Sequence, residues 1–320
     1  MQSRSARFRS PLIGRVDSRT FLKNSLPSWK RRIPEVATVV KNGSAGENET
    51  EARHDPAHAE FSVKIWTAVR PNNLDEKIDS IAEEIPVALV FNDISHVVMM
   101  ASPGELDSFA IGFSLTEGII TSLDDIYDLQ VSVGDAGIEV NVTLSNQCFM
   151  QLKDRRRSMT GRTGCGVCGA ESLEQIRLPV PSVTSNNVVS HDALQKATMT
   201  LTDYQPLQRL TGAVHGAAWF DPEGSMVCIC EDVGRHNALD KLIGCLSKRK
   251  LLGEPGFLLL SSRASYEMVQ KAAMAGIAIV VAVSAPTAMA IDIARKASIS
   301  LVGFSRDGRH VVYSNHQRLI

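Results

Sequence analysis

The sequence has no excess of charge of either sign. Its 34 Lys and Arg residues against 35 Asp and Glu leave a net charge of −1, so no uniform field draws the chain to nucleic acid or to an anionic membrane surface. Long apolar runs are also missing: the longest, from Ile277 to Val283, is far too short to span a bilayer. No apolar segment follows the basic residues at the N-terminus, which argues against a secretory signal. Without one, the six cysteines at 148, 165, 168, 228, 230 and 245 are expected as reduced thiols and not as a disulfide framework. A cytoplasmic protein is expected, with neither nucleic acid nor membrane among its partners. No His-x-Glu precedes a Pro-Cys-x-x-Cys, so a zinc deaminase is disfavoured.

What is present is ample for a core. The 320 residues, 44% of them hydrophobic, can form one large domain or two modest ones. Up to Arg32 the chain carries nine Lys or Arg residues and one acid, Asp17. From Asn42 to Ala59 it is polar with no apolar period. Residues 1–60 therefore read as a disordered basic and polar extension. An Arg- and Ser-rich, acid-poor start is also compatible with an organelle transit signal.

Residues 61–152 read as a small α+β unit. Val87–Phe91 and His96–Met100 around Asn92-Asp93 suggest a hairpin. Leu106, Phe109, Ala110 and Phe113 follow at helical spacing, and Gly118 ends that helix. Two strands, near Ile126–Val133 and Ile138–Leu144, flank the turn Gly134–Gly137. Residues 153–170, charged and then glycine-rich, read as a mobile loop that carries Cys165-Gly166-Val167-Cys168.

Residues 171–320 have a different rhythm. Ser190 is placed to cap a helix with Leu194, Ala197, Leu201 and Tyr204 on one face. A hairpin follows, Ala213–Phe220 and Met226–Glu231, and Asn237 is placed to cap the next helix. Strand Phe257–Leu260, helix Tyr266–Met274, strand Ile277–Val283, helix Ala288–Lys296 and strand Ser300–Phe304 then alternate. Continuously apolar strands between helices imply a parallel sheet covered on both faces. Ligands bind such sheets beyond the carboxyl ends of the strands. There the sequence places Ser261, Ser262 and Arg263, then Ser284–Thr287, then Phe304 to Arg309. Hydroxyls, small residues and guanidinium groups suit a phosphorylated ligand, although polar loops capping a sheet account for them equally well.

Cys165 and Cys168 are the sharpest chemical feature. Glycines at 164, 166 and 169 leave the backbone free, and Arg155, Arg156, Arg157 and Arg162 lie upstream. Positive charge favours the nucleophilic thiolate, which can accept and hold a persulfide sulfur, with the second thiol assisting or resolving it. The same pair could be half of a zinc site completed by Cys228 and Cys230, a redox dithiol, or two inert thiols. Against zinc, Cys228 and Cys230 are expected to face opposite sides of their strand and to be structural, with Cys148 and Cys245 on core-facing helix positions. Glu231-Asp232-Val233-Gly234-Arg235-His236-Asn237 forms a second dense cluster at a strand-to-helix junction, expected to point into the strand-end crevice. His215, alone in a strand, is read as structural.

Six ordered blocks carry a resemblance over Pro86 to Tyr313: "PVALVFNDISHVVMMASPGELDSFAIGFSLTEGII", "GRTGCGVCGAESLE", "TGAVHGAAWF", "EDVGRHNALDKLIG", "SSRASYEMVQKAAMAGI" and "VGFSRDGR". Together they resemble the FdhD family of sulfurtransferases that accompany formate dehydrogenases. The resemblance implies a three-layer, cytidine deaminase-like α/β main domain with a smaller N-terminal α+β unit, in a homodimer. It implies a protein that takes persulfide sulfur from a cysteine desulfurase and delivers it to molybdenum bis(molybdopterin guanine dinucleotide), needing no metal of its own. Cys165 matches the family's persulfide carrier and Cys168 its second cysteine. Phe304, Ser305, Arg306, Asp307, Gly308 and Arg309 match its cofactor-binding stretch. The alternative is a non-catalytic chaperone for the cofactor or apo-enzyme, with the Cys-x-x-Cys pair on zinc. Ala213 and Gly216 depart from the family pattern by small-residue exchanges, and the N-terminal extension lies outside it.

Overall fold

A computed structural model of the chain describes residues 57–67, 70–160 and 180–320. The first elements are β1 (His58–Thr67) and β2 (Arg70–Ala82), an antiparallel ribbon. β1 begins inside the stretch that composition alone assigns to the extension. The base of the ribbon is held by Ala57 and Ala82, which pack with Leu207, Val214 and Val233.

A four-stranded sheet follows, built from β3 (Ile85–Phe91), β4 (Ile94–Ala101), β5 (Ile126–Val133) and β6 (Ile138–Leu144) in the order β4-β3-β6-β5. The β3–β4 hairpin turns at Asn92 and Asp93, with φ of 46° and 62°. Two successive positive φ values match the twist of the flanking strands, and Asn and Asp tolerate them better than most side chains. Helix α1 (Leu106–Thr116) buries Leu106, Phe109, Ala110 and Phe113, and ends at Gly118 with φ of 61°. A left-handed residue just past the last turn is the common helix stop.

Helix α2 (Asn146–Thr160) continues through the charged run from Lys153, where low apolar content suggests loop. Lys and Arg are good helix formers despite their polarity, and Arg155 donates from Nη1 to the Glu117 carbonyl at 3.1 Å. The continuation, residues 161–179, lies outside the described residues, and Cys165 and Cys168 with it.

The rest of the chain builds a six-stranded sheet. Ser190 caps α3 (His191–Thr200) as expected, its Oγ accepting from the Ala193 amide at 3.1 Å. The chain then tightens into a 3₁₀ turn over Leu201–Tyr204, which swings Tyr204 off the buried face kept by Leu194, Ala197 and Leu201. Helix α4 (Pro206–Thr211) leads into β7 (His215–Phe220), β8 (Met226–Asp232) and α5 (Arg235–Lys248). The alternating part comprises β9 (Phe257–Leu260), α6 (Tyr266–Met274), β10 (Ile279–Ala282), α7 (Ala288–Lys296) and β11 (Ser300–Arg306), and β12 (Arg309–Ser314) closes the edge.

Strand order is β12-β11-β10-β9-β7-β8, with β9, β10 and β11 parallel and the others antiparallel. β9 and β10 are buried at every residue, as strands covered on both faces must be. The architecture is mixed α/β. Among the described residues no helix is long and apolar enough to cross a membrane.

Helices α1 and α5 join the two larger sheets through a glycine crossing. A Cβ on Gly112 would lie 1.8 Å from the Asp240 carbonyl oxygen, and one on Gly244 1.9 Å from that of Ser108. Only hydrogen fits at either point, so the two backbones touch.

Cys228 and Cys230 share one face of β8, because strand side chains repeat every second residue; both are buried and meet Cys245 on α5. Asn237 does not cap α5. Gly234 holds that place, and Asn237 lies buried inside the first turn. Cys148 is buried on α2, as its helical position suggests.

Candidate functional site

The carboxyl ends of β9, β10 and β11 open onto a cleft of 320 Å³. The sheet contributes Ser261, Val283, Ser305, Arg306 and Asp307, while α3 and the turn after it contribute Thr198, Thr202 and Gln205. β7 runs antiparallel to β9, so its start, His215 and Gly216, reaches the same end of the sheet.

Hydrogen bonds fix the floor. Gly216 donates its amide to Ser261 Oγ at 2.8 Å, and the Ser261 amide returns to the Gly216 carbonyl at 3.0 Å. Ser305 is fully buried, and its hydroxyl meets that of Thr198 at 2.6 Å. Gln205 packs flat on Gly216, where an added Cβ would come within 2.5 Å of Nε2. That Nε2 is buried with no hydrogen-bond partner among the described residues. Buried polar atoms are nearly always paired, and this one, beside the cleft, is not.

The β11 side of the cleft owes its shape to a bulge. Register shifts between Gly303 and Arg306, and Phe304 stands in the left-handed region at φ 51° with its amide on the Ser284 carbonyl. A bulky residue at positive φ is strained, and bulges re-aim side chains beside functional sites. Here the bulge turns Ser305 inward and carries Arg306 and Asp307 to the rim. Gly308, at φ 67°, makes the tight turn into β12, with Arg309 exposed at its first position. Of the loop after β9, Ser261 lines the cleft. Ser262 is buried and donates to the Arg263 carbonyl, while the Arg263 side chain is exposed.

The dense cluster after β8 serves a different end from the one expected. Glu231 accepts from the Leu207 and Gln208 amides at 2.9 and 2.8 Å, and so caps α4. Asp232 accepts from the Ser102 amide, the Gly234 amide and Asn237 Nδ2, and pairs with Lys241. Asn237 also donates to the Met100 carbonyl, and Lys241 to that of Ser102. These side chains therefore clasp the end of β4 to the six-stranded sheet instead of facing the crevice. Arg235 and His236 behave differently. His236 Nε2 lies 2.7 Å from Glu267 Oε2, and burial, outweighing that carboxylate with help from Arg235 and Lys271, holds its pKa below the usual histidine value. His215 is likewise lowered by burial and by Arg235.

Thr198, Thr202 and Gln205 have no motif of their own. They are brought to the cleft by the packing of α3 against β11, which local sequence does not encode. The strand-end residues were legible because a parallel sheet presents its loops at one edge.

Comparison with known proteins places the chain in one lineage. The FdhD/NarQ family model matches residues 82–320, which takes in β3 to β12 and the whole cleft. The sulfur carrier protein FdhD of Cupriavidus necator is 51% identical over 265 residues, 82% of this chain and 91% of that protein. The crystal structure of a protein ascribed to formate dehydrogenase accessory function, from Desulfotalea psychrophila, shares the fold with a TM-score of 0.64 at 23% identity, covering 83% of this chain and all of that one. The chain therefore belongs to the FdhD/NarQ family.

Proposed function

We propose that this chain is a sulfurtransferase required for formate dehydrogenase activity, with Cys165 as the persulfide carrier and the strand-end cleft as the seat of the acceptor. The single observation that carries the reading is the cleft: a parallel-sheet edge with an unpartnered buried amide, inward hydroxyls and a rim arginine, in a chain whose close relative is a sulfur carrier.

The chemistry needs little from the protein beyond positioning and charge. The Cys165 thiolate attacks the terminal sulfur of a cysteine desulfurase persulfide. The new S–S bond forms on Cys165 as the donor's own S–S bond breaks and its thiolate leaves. Attack by Cys168 on Cys165 Sγ then closes a disulfide and releases the carried sulfur as hydrosulfide, available to the metal.

The acceptor, molybdenum bis(molybdopterin guanine dinucleotide), is substrate here and not a resident group. At 320 Å³ the cleft is at the small end of ligand pockets and fits one nucleotide limb of so large a molecule. Gln205 Nε2 supplies a donor to a base carbonyl, Asp307 an acceptor for base N–H groups, and Arg306 with Arg309 and Arg263 the cations for phosphate. Phe304, Ser305 and Gly308 shape the approach, and Ser262 anchors the neighbouring loop. A homodimer resident in the cytoplasm belongs to the same reading.

The test is complementation of a strain lacking its own family member. The chain with Cys165→Ala should leave formate dehydrogenase inactive while the unaltered chain restores it; full restoration by the variant would exclude Cys165 as carrier.

A further inference from the structure

Three cysteines that the sulfur chemistry above does not use converge between β8 and α5. Cys228 and Cys230 stand two residues apart on the face of β8 that α5 covers, and Cys245 faces them from α5. Cys228 Sγ lies 2.8 Å from Cys245 Sγ, about 0.8 Å longer than a covalent S–S bond.

The three thiols are not equivalent. Cys228 and Cys230 are 8% and 2% exposed, whereas Cys245 is partly open to solvent. Hydrogen bonds from Cys228 and Cys230, together with the Arg249 guanidinium, hold the Cys245 pKa well below that of a free thiol despite burial. The thiol of Cys230 is pushed up by its cysteine neighbours and by burial, with the Glu105 charge adding to the effect. Arg249 is itself fixed, donating to the Val227 carbonyl at 3.0 Å. The accessible cysteine is thus the one beside the Arg249 guanidinium, and its partner is the buried thiol in contact with it.

We propose that Cys245 and Cys228 form a reversible disulfide in response to hydroperoxide, Cys245 attacking and Cys228 resolving. The Cys245 thiolate attacks one peroxide oxygen; an S–O bond forms, the O–O bond breaks, and the departing hydroxide takes a proton to leave as water. Cys245 is now a sulfenic acid. Cys228 Sγ then displaces its hydroxyl, forming the S–S bond as the S–O bond breaks, and the Cys228 proton leaves with the hydroxyl as a second water. Two thiols are oxidised by two electrons and one hydrogen peroxide is reduced to two waters. A dithiol reductant reverses the step by exchange. The bond ties β8 to α5 on either side of the segment from Glu231 to Asn237, so it would lock the clasp that holds the end of β4. The proposal is independent of persulfide transfer.

The test uses the full chain with Cys165→Ala and Cys168→Ala, which removes the other cysteine pair. The protein is treated with hydrogen peroxide, denatured, alkylated and mapped without reduction. The expected result is a loss of two hydrogens located in a cross-link between the peptides bearing Cys228 and Cys245, abolished by dithiothreitol. Adding Cys228→Ser should leave Cys245 as a sulfenic acid trapped by dimedone. Alkylation of both cysteines as free thiols after treatment, a bridge from Cys245 to Cys230, or direct passage of Cys245 to sulfinic acid with Cys228 present would each overturn the proposal.

Discussion

Lys241 holds Asp232 across 2.7 Å at a point where the two side chains are 1% and 0% exposed. Neither charge has water to fall back on, and each also bonds backbone of Ser102, on the far side of the clasp. Removing one member strands the other. Asp232→Ala is expected to cost about 3–5 kcal/mol, the usual penalty for an orphaned buried charge. Urea unfolding measures it; a loss below about 1 kcal/mol would mean the pair is not the fastening described.

The crossing of α1 and α5 gives a second stability prediction. Gly112→Ala and Gly244→Ala each drive a methyl to within 2 Å of a backbone carbonyl oxygen, and no side-chain rotation relieves it. Overpacking typically costs about 1–3 kcal/mol and more where backbone must move, so both variants should melt well below the parent. Gly104→Ala is the control, since nothing lies within 4 Å of its Cβ position and its effect should stay within about 0.5 kcal/mol.

Acid should loosen the fold. Burial holds His215, His236 and His310 below the ordinary value of 6.5. Arg235 adds to this at the first two, and His191, 2.7 Å from His310, at the third. Glu267 opposes the shift at His236 without reversing it, as Asp232 does at His215. Unfolded histidines take up protons near 6.5 while these folded ones resist, so the unfolded state binds more protons and stability falls as pH drops below that value. Thermal midpoints from pH 8 to 5.5 should decline from about 6.5 downward, and His310→Gln should shallow the slope. A midpoint unchanged over that range would refute the assignment.

The cleft makes a binding prediction. A guanine nucleoside diphosphate should bind with micromolar or better affinity in calorimetry. Losing one hydrogen bond at Gln205→Ala should weaken it roughly 10-fold, and losing the charged contact at Arg306→Ala roughly 10- to 100-fold. Equal affinity in both variants would remove the nucleotide limb from this cleft.

Much of this was readable from the sequence, for reasons that differ by element. The parallel part was legible because its strands are apolar throughout and its helices repeat on one face. The Asn92-Asp93 turn was legible because few dipeptides suit two positive φ values. The end of α2 was not, since a charged helix and a charged loop have the same composition. The roles of Glu231, Asp232 and Asn237 were hidden because the partners that define them, Met100, Ser102, Leu207 and Gln208, are distant in sequence. Gln205 was hidden for the same reason. The opposite faces expected for Cys228 and Cys230 run against the two-residue period of a strand; only the position of Cys245, on a helix placed by the Gly112–Gly244 crossing, makes their shared face consequential.

The most direct measurement is intact-mass spectrometry of the purified chain after incubation with a cysteine desulfurase and cysteine, followed by peptide mapping. A gain of one sulfur, removed by reductant and located on Cys165, is the expected result. No sulfur on Cys165 or Cys168 beside an active desulfurase would contradict the carrier role.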